Sequence, residues 1–170
     1  GGGGNSGLYT KLVKGMPNDV HIDYQYVANK AFETIAMAKV STSGEEAREN
    51  NFLNFADGVS VNPDHLIYDA KQVALALYEN GYQPPNREKV PVTGDSGYAT
   101  LLLAAENMRL SGFISEHDMK IANKLAFVLS GGKVPYGTLV DEQYLLDLER
   151  EAFLSLIQEP KSQQRMQHML

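Results

Sequence analysis

The sequence predicts a mainly α-helical fold with six or seven helices and at most one or two short strands. Three features support this prediction: apolar residues recur at helical spacing, capping residues precede those segments, and glycine or proline follows many of them. The stretch from Asp23 to Leu53 shows the pattern most clearly. Asp23 can cap a long helix whose apolar stripe is wide enough to bury one face. That stripe comprises Val27, Ala28, Ala31, Phe32, Ile35 and Ala36.

A polar break at residues 41–44 (Ser-Thr-Ser-Gly) is predicted to separate the long helix from a short second one. The hydroxyl side chains offer an N-cap, and Glu45 and Glu46 fall in the first turn, where the helix dipole favours anions. Adjacent helical residues point about 100° apart, so these two carboxylates do not face one another as a general acid/base pair would. We expect a solvated first turn, with the other helices packed around these two.

Further elements are predicted on both sides of this stretch. One helix spans Leu8–Lys14, and a short strand at Val59–Val61 is stopped by the Asn-Pro pair that follows it. Another helix runs from Pro63 to about Asn80, with Gly81 as its C′ residue. Its buried stripe is predicted to comprise Leu66, Ala70, Val73, Ala74 and Leu77.

Two helices that resemble a hairpin are predicted after residue 97. The run Tyr98–Leu110 is apolar on nearly all sides, which favours a central position in the fold. Ser115 and Asp118 stand at capping-box spacing ahead of a helix that ends at Leu129, before two consecutive glycines. Residues 133–141 are expected to be a loop or a short extended piece.

Asp141 is predicted to cap the last long helix, and Pro160 separates that helix from a short terminal one. Glu149, Arg150 and Glu151 are predicted to lie on its solvated face and to pair within the helix. Its buried face is predicted to comprise Leu145, Leu148, Ala152 and Leu156.

Composition limits the classes of function. The 170-residue chain carries 15 Lys and Arg against 21 Asp and Glu, a net charge of −6, so we expect no nucleic-acid partner. It contains no cysteine, which excludes disulfides and thiolate sites and suits a cytoplasmic location. No apolar run approaches the roughly 18 residues of a membrane span. The sequence therefore predicts an acidic, cytoplasmic protein without a membrane span.

Few residues suggest chemistry. The four histidines are scattered without acidic partners at ligand spacing, so no metal site is predicted. The sequence contains no Gly-x-Ser-x-Gly elbow, no phosphate-binding loop and no dinucleotide fingerprint. The glycine run at residues 1–4 is either a flexible linker or a close approach of backbone to a ligand. In the second case it would open a helix whose free amides face an anion or a carbonyl.

Six stretches of the chain carry a family pattern: VANKAFETIAMAKVSTS, EARENNFLNFADG, HLIYDAKQ, SGFISEHD, LLDLEREAFLSL and RMQHML. Over nearly all 170 residues they resemble the crotonase-like (enoyl-CoA hydratase/isomerase-related) C-terminal part of bacterial 3-hydroxyacyl-CoA dehydrogenases. Asn50, Asn51 and Phe52 stand where the wider family more usually has glycine and leucine. The match is therefore one of pattern more than of residue identity.

The resemblance implies a division of the chain. Residues 1–83 would be the C-terminal half of a crotonase-like domain, 84–97 a linker, and 98–170 a helical extension or part of one compact unit with 1–83. The catalytic groups and the NAD-binding domain would belong to upstream parts of a longer fatty-acid β-oxidation enzyme, with which this chain would pack. We therefore expect no catalytic residue, no bound cofactor and no activity in this chain alone.

The resemblance also suggests contact residues. In the family a glycine amide of the substrate-side loop faces the catalytic water, and the matching residues are Gly1, Gly2, Gly3, Gly4 and Asn5. Candidates for contact with the CoA phosphates, for which ordinary solvated lysines are the alternative explanation, are Lys11, Lys14 and Lys161. The implied role is to help form the acyl-CoA pocket and to mediate packing or self-association.

The alternative hypothesis is an independent helical protein-interaction module without catalysis. A severed half-domain should expose a large apolar patch, which we expect near Leu8, Leu12 and the Asp23–Leu53 stretch. A complete module would bury such a patch. Exposed apolar surface therefore separates the two hypotheses.

Overall fold

The computed structural model describes residues 2–17, 21–84, 86 and 88–169. It is mainly helical, which confirms the predicted fold class. The described residues form eight α-helices, one more than predicted, and a single 3-10 turn at Pro63–His65. The helices are α1 (Gly4–Lys14), α2 (Tyr24–Ala36), α3 (Gly44–Glu49), α4 (Leu66–Glu79), α5 (Gly94–Leu110), α6 (Glu116–Leu129), α7 (Glu142–Ile157) and α8 (Pro160–Met169).

Two three-residue strands form an antiparallel pair. Strand β1 (Val90–Val92) pairs with β2 (Thr138–Val140), with Val90 opposite Val140. Strand β1 lies inside the segment 84–97 that is predicted as a linker. The strand predicted at Val59–Val61 is wrong: these residues lie outside any helix or strand, and Val61 is 95% exposed with no described strand beside it.

Contacts divide the chain into two compact units. The main unit comprises Gly1–Val40 and Glu88–Leu170, and the second unit comprises Ser41–Arg87. The long helix α2 and the short helix α3, which the sequence treats as one pair, belong to different units. The domain boundaries at residues 83 and 97 are implied by the family resemblance. They are not tested by this division into units and stay a prediction.

Helix α6 lies at the centre of the main unit, in contact with α1, α2, α5 and α7. Its residues Ala126, Val128 and Leu129 are almost completely buried. The central position predicted for Tyr98–Leu110 is wrong: α5 buries Leu101 but leaves Leu103 63% exposed. Helix α5 packs mainly on α6 and α2, which leaves part of its apolar surface uncovered.

The predicted caps of the main unit are confirmed. Asp23 accepts hydrogen bonds from two backbone N–H groups in the first turn of α2. Ser115 and Asp118 form a complete capping box at the start of α6. Asp141 accepts a hydrogen bond from the first turn of α7. Each cap satisfies amides that have no partner within the helix, which fixes where the helix begins.

The second unit contains α3, the 3-10 turn and α4. Ser43 Oγ accepts a hydrogen bond from the Glu46 N–H at 3.1 Å, and the Glu46 carboxylate accepts one from the Thr42 N–H at 2.7 Å. The hydrogen bonds from Thr42 lower the pKa of Glu46. Glu46 therefore serves to fix the start of α3.

The burial predicted for α4 is wrong. We call the residues Leu66, Ala70, Val73, Ala74 and Leu77 the α4 stripe. All five are exposed, with 58% for Leu66 and 56% for Val73. The spacing identifies the apolar face correctly, but no described residue of the second unit is buried, so this unit has no core for the face to join.

The turn at Gly94 gives a test of the packing between strand β1 and the residues after α6. Gly94 has φ 60°, and a Cβ there would lie 1.9 Å from the backbone oxygen of Val134. We expect Gly94→Ala to lower the free energy of unfolding by about 3–5 kcal/mol, measured by urea denaturation. Gly112→Ala is the matched control, since Gly112 has φ 75° but no atom within 4 Å of its Cβ position. It should cost only about 1–2 kcal/mol, and equal losses for both variants would contradict the close approach.

Candidate functional site

The glycine-rich start of the described chain forms the first turn of α1. Gly2 and Gly3 adopt positive φ angles of 77° and 92°, and α1 begins at Gly4, four residues before the predicted start. Gly1, which belongs to the same predicted loop, lies outside the described residues. The loop is therefore a structured helix start in which the backbone amides are brought together.

The amides at the start of α1 hold the carboxylate of Glu149. The Gly3 N–H donates to Glu149 Oε1 at 3.1 Å, and the Ser6 N–H donates to Oε2 at 3.0 Å. Ser6 Oγ donates to the same Oε2 at 2.7 Å. A helix N-terminus favours an anion through its free amides and its dipole. The sequence analysis offers two interpretations of the glycine run, a flexible linker or a helix start whose free amides face an anion or a carbonyl. The amides do face an anion, and this anion is a side chain of the same protein.

Glu149 is 2% exposed, so its predicted place on a solvated face is wrong. The charge run with Arg150 and Glu151 suggested solvent, whereas the buried partner lies more than a hundred residues away in the sequence. A signal was present nonetheless. Glu149 stands four residues after Leu145 and three before Ala152, on the buried stripe of α7.

Burial and hydrogen bonding act on Glu149 in opposite directions. Burial raises the pKa of its carboxyl, while the hydrogen bonds from the side chain and backbone of Ser6 lower it. The resulting pKa lies below the usual value. Glu149 is therefore ionised at neutral pH and acts as a fixed anion beneath α1.

An apolar cavity of about 560 Å³ lies beside this contact, within the main unit. Asn5 and Glu149 line one part of it. Its walls come from α2, α5, α6 and α7, and they include Phe32, Ile35, Met108, Leu125, Ala152 and Phe153. Small-molecule sites have volumes of roughly 300–1,000 Å³ and mostly apolar walls. The cavity fits this description.

The cavity also has a small set of charged groups. Arg165 Nη1 lies 2.6 Å from Asp118 Oδ1, and this hydrogen bond, with those from Ser115, holds the pKa of Asp118 well below its usual range. Lys124 lines the cavity, and its side-chain ammonium makes no hydrogen bond or ion pair with the residues that the structure describes. Lys124 therefore offers an uncompensated positive charge beside apolar walls.

The predicted phosphate candidates do not line this cavity. Lys11 and Lys14 lie in the last turn of α1. Lys161 lies in α8, beside a second, shallower depression that His117, Arg165 and His168 also line. Their role as phosphate contacts stays a prediction. Within the described ranges, no cluster of three His, Asp or Glu side chains could hold a metal ion, and no helix is long and apolar enough to cross a membrane.

Glu149→Gln tests the contact between α7 and the start of α1. Because the folded-state pKa lies below the unfolded-state value of about 4.3, the ionised carboxylate stabilises the folded state above that pH. This contribution is lost as the pH falls through the folded-state pKa. At pH 7 we expect the variant to lose about 1–3 kcal/mol in the free energy of unfolding. The difference from wild type should shrink on acidification from about pH 5 to pH 2.

Urea denaturation at several pH values measures this difference. Glu151→Gln is the control, since Glu151 is exposed on the same helix and should have an effect within about 0.5 kcal/mol. A Glu149→Gln variant as stable as wild type at pH 7 would contradict the structural role of the carboxylate.

Comparison with known proteins finds a curated protein with a similar sequence. Over all 170 residues it is 61% identical to a protein of Bacillus subtilis (strain 168) described as a probable 3-hydroxyacyl-CoA dehydrogenase. No family model matches the chain. No solved structure matches it. The chain spans about a fifth of the length of this curated relative, 21%, and is similar to that part of it.

Proposed function

We propose that the chain is part of a 3-hydroxyacyl-CoA dehydrogenase of fatty-acid β-oxidation, in which it helps to bind the acyl-CoA substrate. The observation that carries this proposal is the 61% identity to the Bacillus subtilis protein over the full 170 residues. Because that similarity covers a fifth of the relative's length, the activity belongs to a longer protein. We expect the 170 residues alone to show no turnover.

The proposal includes an origin for the two parts of the chain. Residues 1–83 would be the C-terminal half of a crotonase-like domain and residues 98–170 its helical extension. NAD would bind in a part of the longer protein outside these residues, since the sequence contains no dinucleotide fingerprint. The cytoplasmic location predicted from composition belongs to the same proposal.

The cavity of the main unit supports a role in holding the acyl chain. An acyl chain is stabilised by apolar walls, at about 0.8 kcal/mol for each buried methylene group. The cavity supplies such walls from four helices. Lys124 lines the same cavity, and its positive charge would suit contact with the thioester carbonyl or the anionic head of the ligand.

The alternative of a self-contained interaction module is less well supported. Such a module would cover its own apolar surface, whereas the α4 stripe is exposed. Where the sequence analysis expects an exposed patch, Leu8 is buried, whereas Tyr26 and Val40 of the Asp23–Leu53 stretch are 63% and 76% exposed. The exposed α4 stripe favours a part of a larger protein.

The dehydrogenase proposal is tested by NADH formation. The full-length gene product that contains this chain should reduce NAD⁺ when supplied with a 3-hydroxyacyl-CoA, and the 170-residue chain should not. No NADH formation by the full-length product, with a range of acyl lengths, would overturn the proposal.

The acyl site is tested by filling the cavity. Ala36 lines the cavity yet is exposed, so Ala36→Trp should fold and should weaken binding of a saturated acyl-CoA at least ~10-fold in calorimetric titration. With the wild-type chain, each added methylene should strengthen binding roughly fourfold until the cavity is full.

Ala104→Trp is the matched control. Ala104 is also exposed on a helix of the main unit but does not line the cavity, so its replacement should leave the affinity unchanged. Equal affinity for both variants, or affinity that does not depend on acyl length, would exclude the cavity as the acyl site.

A further inference from the structure

The second unit lacks a core of its own. Among its described residues none is buried, and on α4 the side chains of Ile67 and Tyr78 are 84% and 83% exposed. Ordering a residue's backbone costs about 1–2 kcal/mol in conformational entropy, and apolar burial is the main term that offsets it. A unit without burial therefore needs a surface from elsewhere to remain folded.

One side of α4 carries a continuous part of the exposed apolar surface of this unit, besides separate exposed side chains such as Phe55 and Val61. At the helical repeat of 3.6 residues, the α4 stripe forms one continuous face, with Ala70 and Ala74 near its middle and Ile67 and Tyr78 at one edge. Asp69 lies off the stripe, and its Oδ2 accepts a hydrogen bond from Ser60 Oγ at 2.7 Å. Asp69 thus ties α4 to its own unit from outside the stripe, and the stripe itself is left for a partner.

We infer that the α4 stripe docks onto an apolar face of the same, longer polypeptide, in the part outside these 170 residues. The inference rests on the proposed function, because it takes the chain to be part of a protein as long as its relative. In that relative, roughly four-fifths of the length lies outside the matching region. The two small alanines in the middle of the stripe suit close packing, at the 8–10 Å axial distances typical of helix pairs.

A segment of the same polypeptide is favoured over a second copy because the covalent tether raises its effective concentration near the stripe. A tethered partner acts at an effective concentration in the millimolar range. A second copy at micromolar protein concentration would have to compensate a deficit of about 1,000-fold. Because the second unit needs its cover permanently, the tethered partner fits this requirement.

Hydrogen–deuterium exchange compares the 170-residue chain with the full-length gene product. We expect the amides of α4 to exchange at least ~100-fold more slowly in the full-length product. Amides of α6, buried within the main unit in both proteins, should exchange within about threefold of each other. The measurement does not depend on turnover, so a failure of docking is distinguishable from a failure of the dehydrogenase proposal.

Two leucines of α4 form a matched pair of variants. Leu77 lies on the stripe and Leu75 lies about 160° away around the helix, yet their exposures are 45% and 44%. In the full-length product Leu77→Ser should accelerate exchange of α4 at least ~10-fold, and Leu75→Ser should change it less than about twofold. In the 170-residue chain the two variants should behave alike.

Three outcomes would overturn the inference. Unchanged exchange of α4 in the full-length product would mean that nothing outside the chain covers the stripe. Slow exchange already in a monomeric 170-residue chain would mean that the chain covers it by itself. Protection that rises with the concentration of the 170-residue chain and persists unchanged in the full-length product, together with a doubled mass in light scattering, would identify a second copy as the occupant.

Discussion

The carboxylate of Glu149 at the start of α1 is the contact on which the main unit depends. The amides at a helix N-terminus need acceptors, and a buried carboxylate needs donors, so each group removes the other's desolvation cost. The contact joins residues 143 positions apart in the sequence, Ser6 and Glu149. It fixes α1 against α7, and because Asn5 and Glu149 both line the cavity, it also positions one wall of the candidate site.

The two compact units differ in the interactions that stabilise them. The main unit has a continuous core around α6, which packs against α1, α2, α5 and α7. The second unit has caps and hydrogen bonds but no buried apolar side chain among its described residues. Caps contribute about 1 kcal/mol each, which is small against the entropy of ordering a segment of this length. The main unit therefore carries the candidate binding site, and the second unit offers a surface.

The sequence predicts helix caps correctly because a cap depends only on residues that are close together in the chain. The caps at Asp23, Ser115 and Asp141 were found because each depends on side chains within one turn. The early start of α1 was missed because glycine is a poor helix former, and the helix there is stabilised by Glu149 rather than by propensity. Strand β2 falls in the segment 133–141, expected as a loop or a short extended piece, whereas β1 is not predicted because it gains its stability from pairing with β2, about fifty residues away.

Periodicity identified faces but not their partners. The α4 stripe is a real apolar face, yet spacing cannot say whether a partner lies in the same 170 residues. In α7 the charge run led to the wrong prediction of a solvated Glu149, although its spacing from Leu145 and Ala152 fits the buried face, and only the tertiary fold shows which donors compensate its charge. The cavity was not predictable, since its walls combine α2 with the distant helices α5, α6 and α7, and spacing along one helix does not show how helices pack together.

The central claim is that the main unit holds an acyl chain. Methyl NMR tests it most directly: the 170-residue chain, labelled with ¹³C at its methionine methyl groups, is titrated with a saturated acyl-CoA. Met37 and Met108 line the cavity, whereas Met119 and Met166 do not. The account predicts that the methyl signals of Met37 and Met108 shift with ligand while those of Met119 and Met166 stay in place. Saturable binding that leaves Met37 and Met108 unchanged would contradict it.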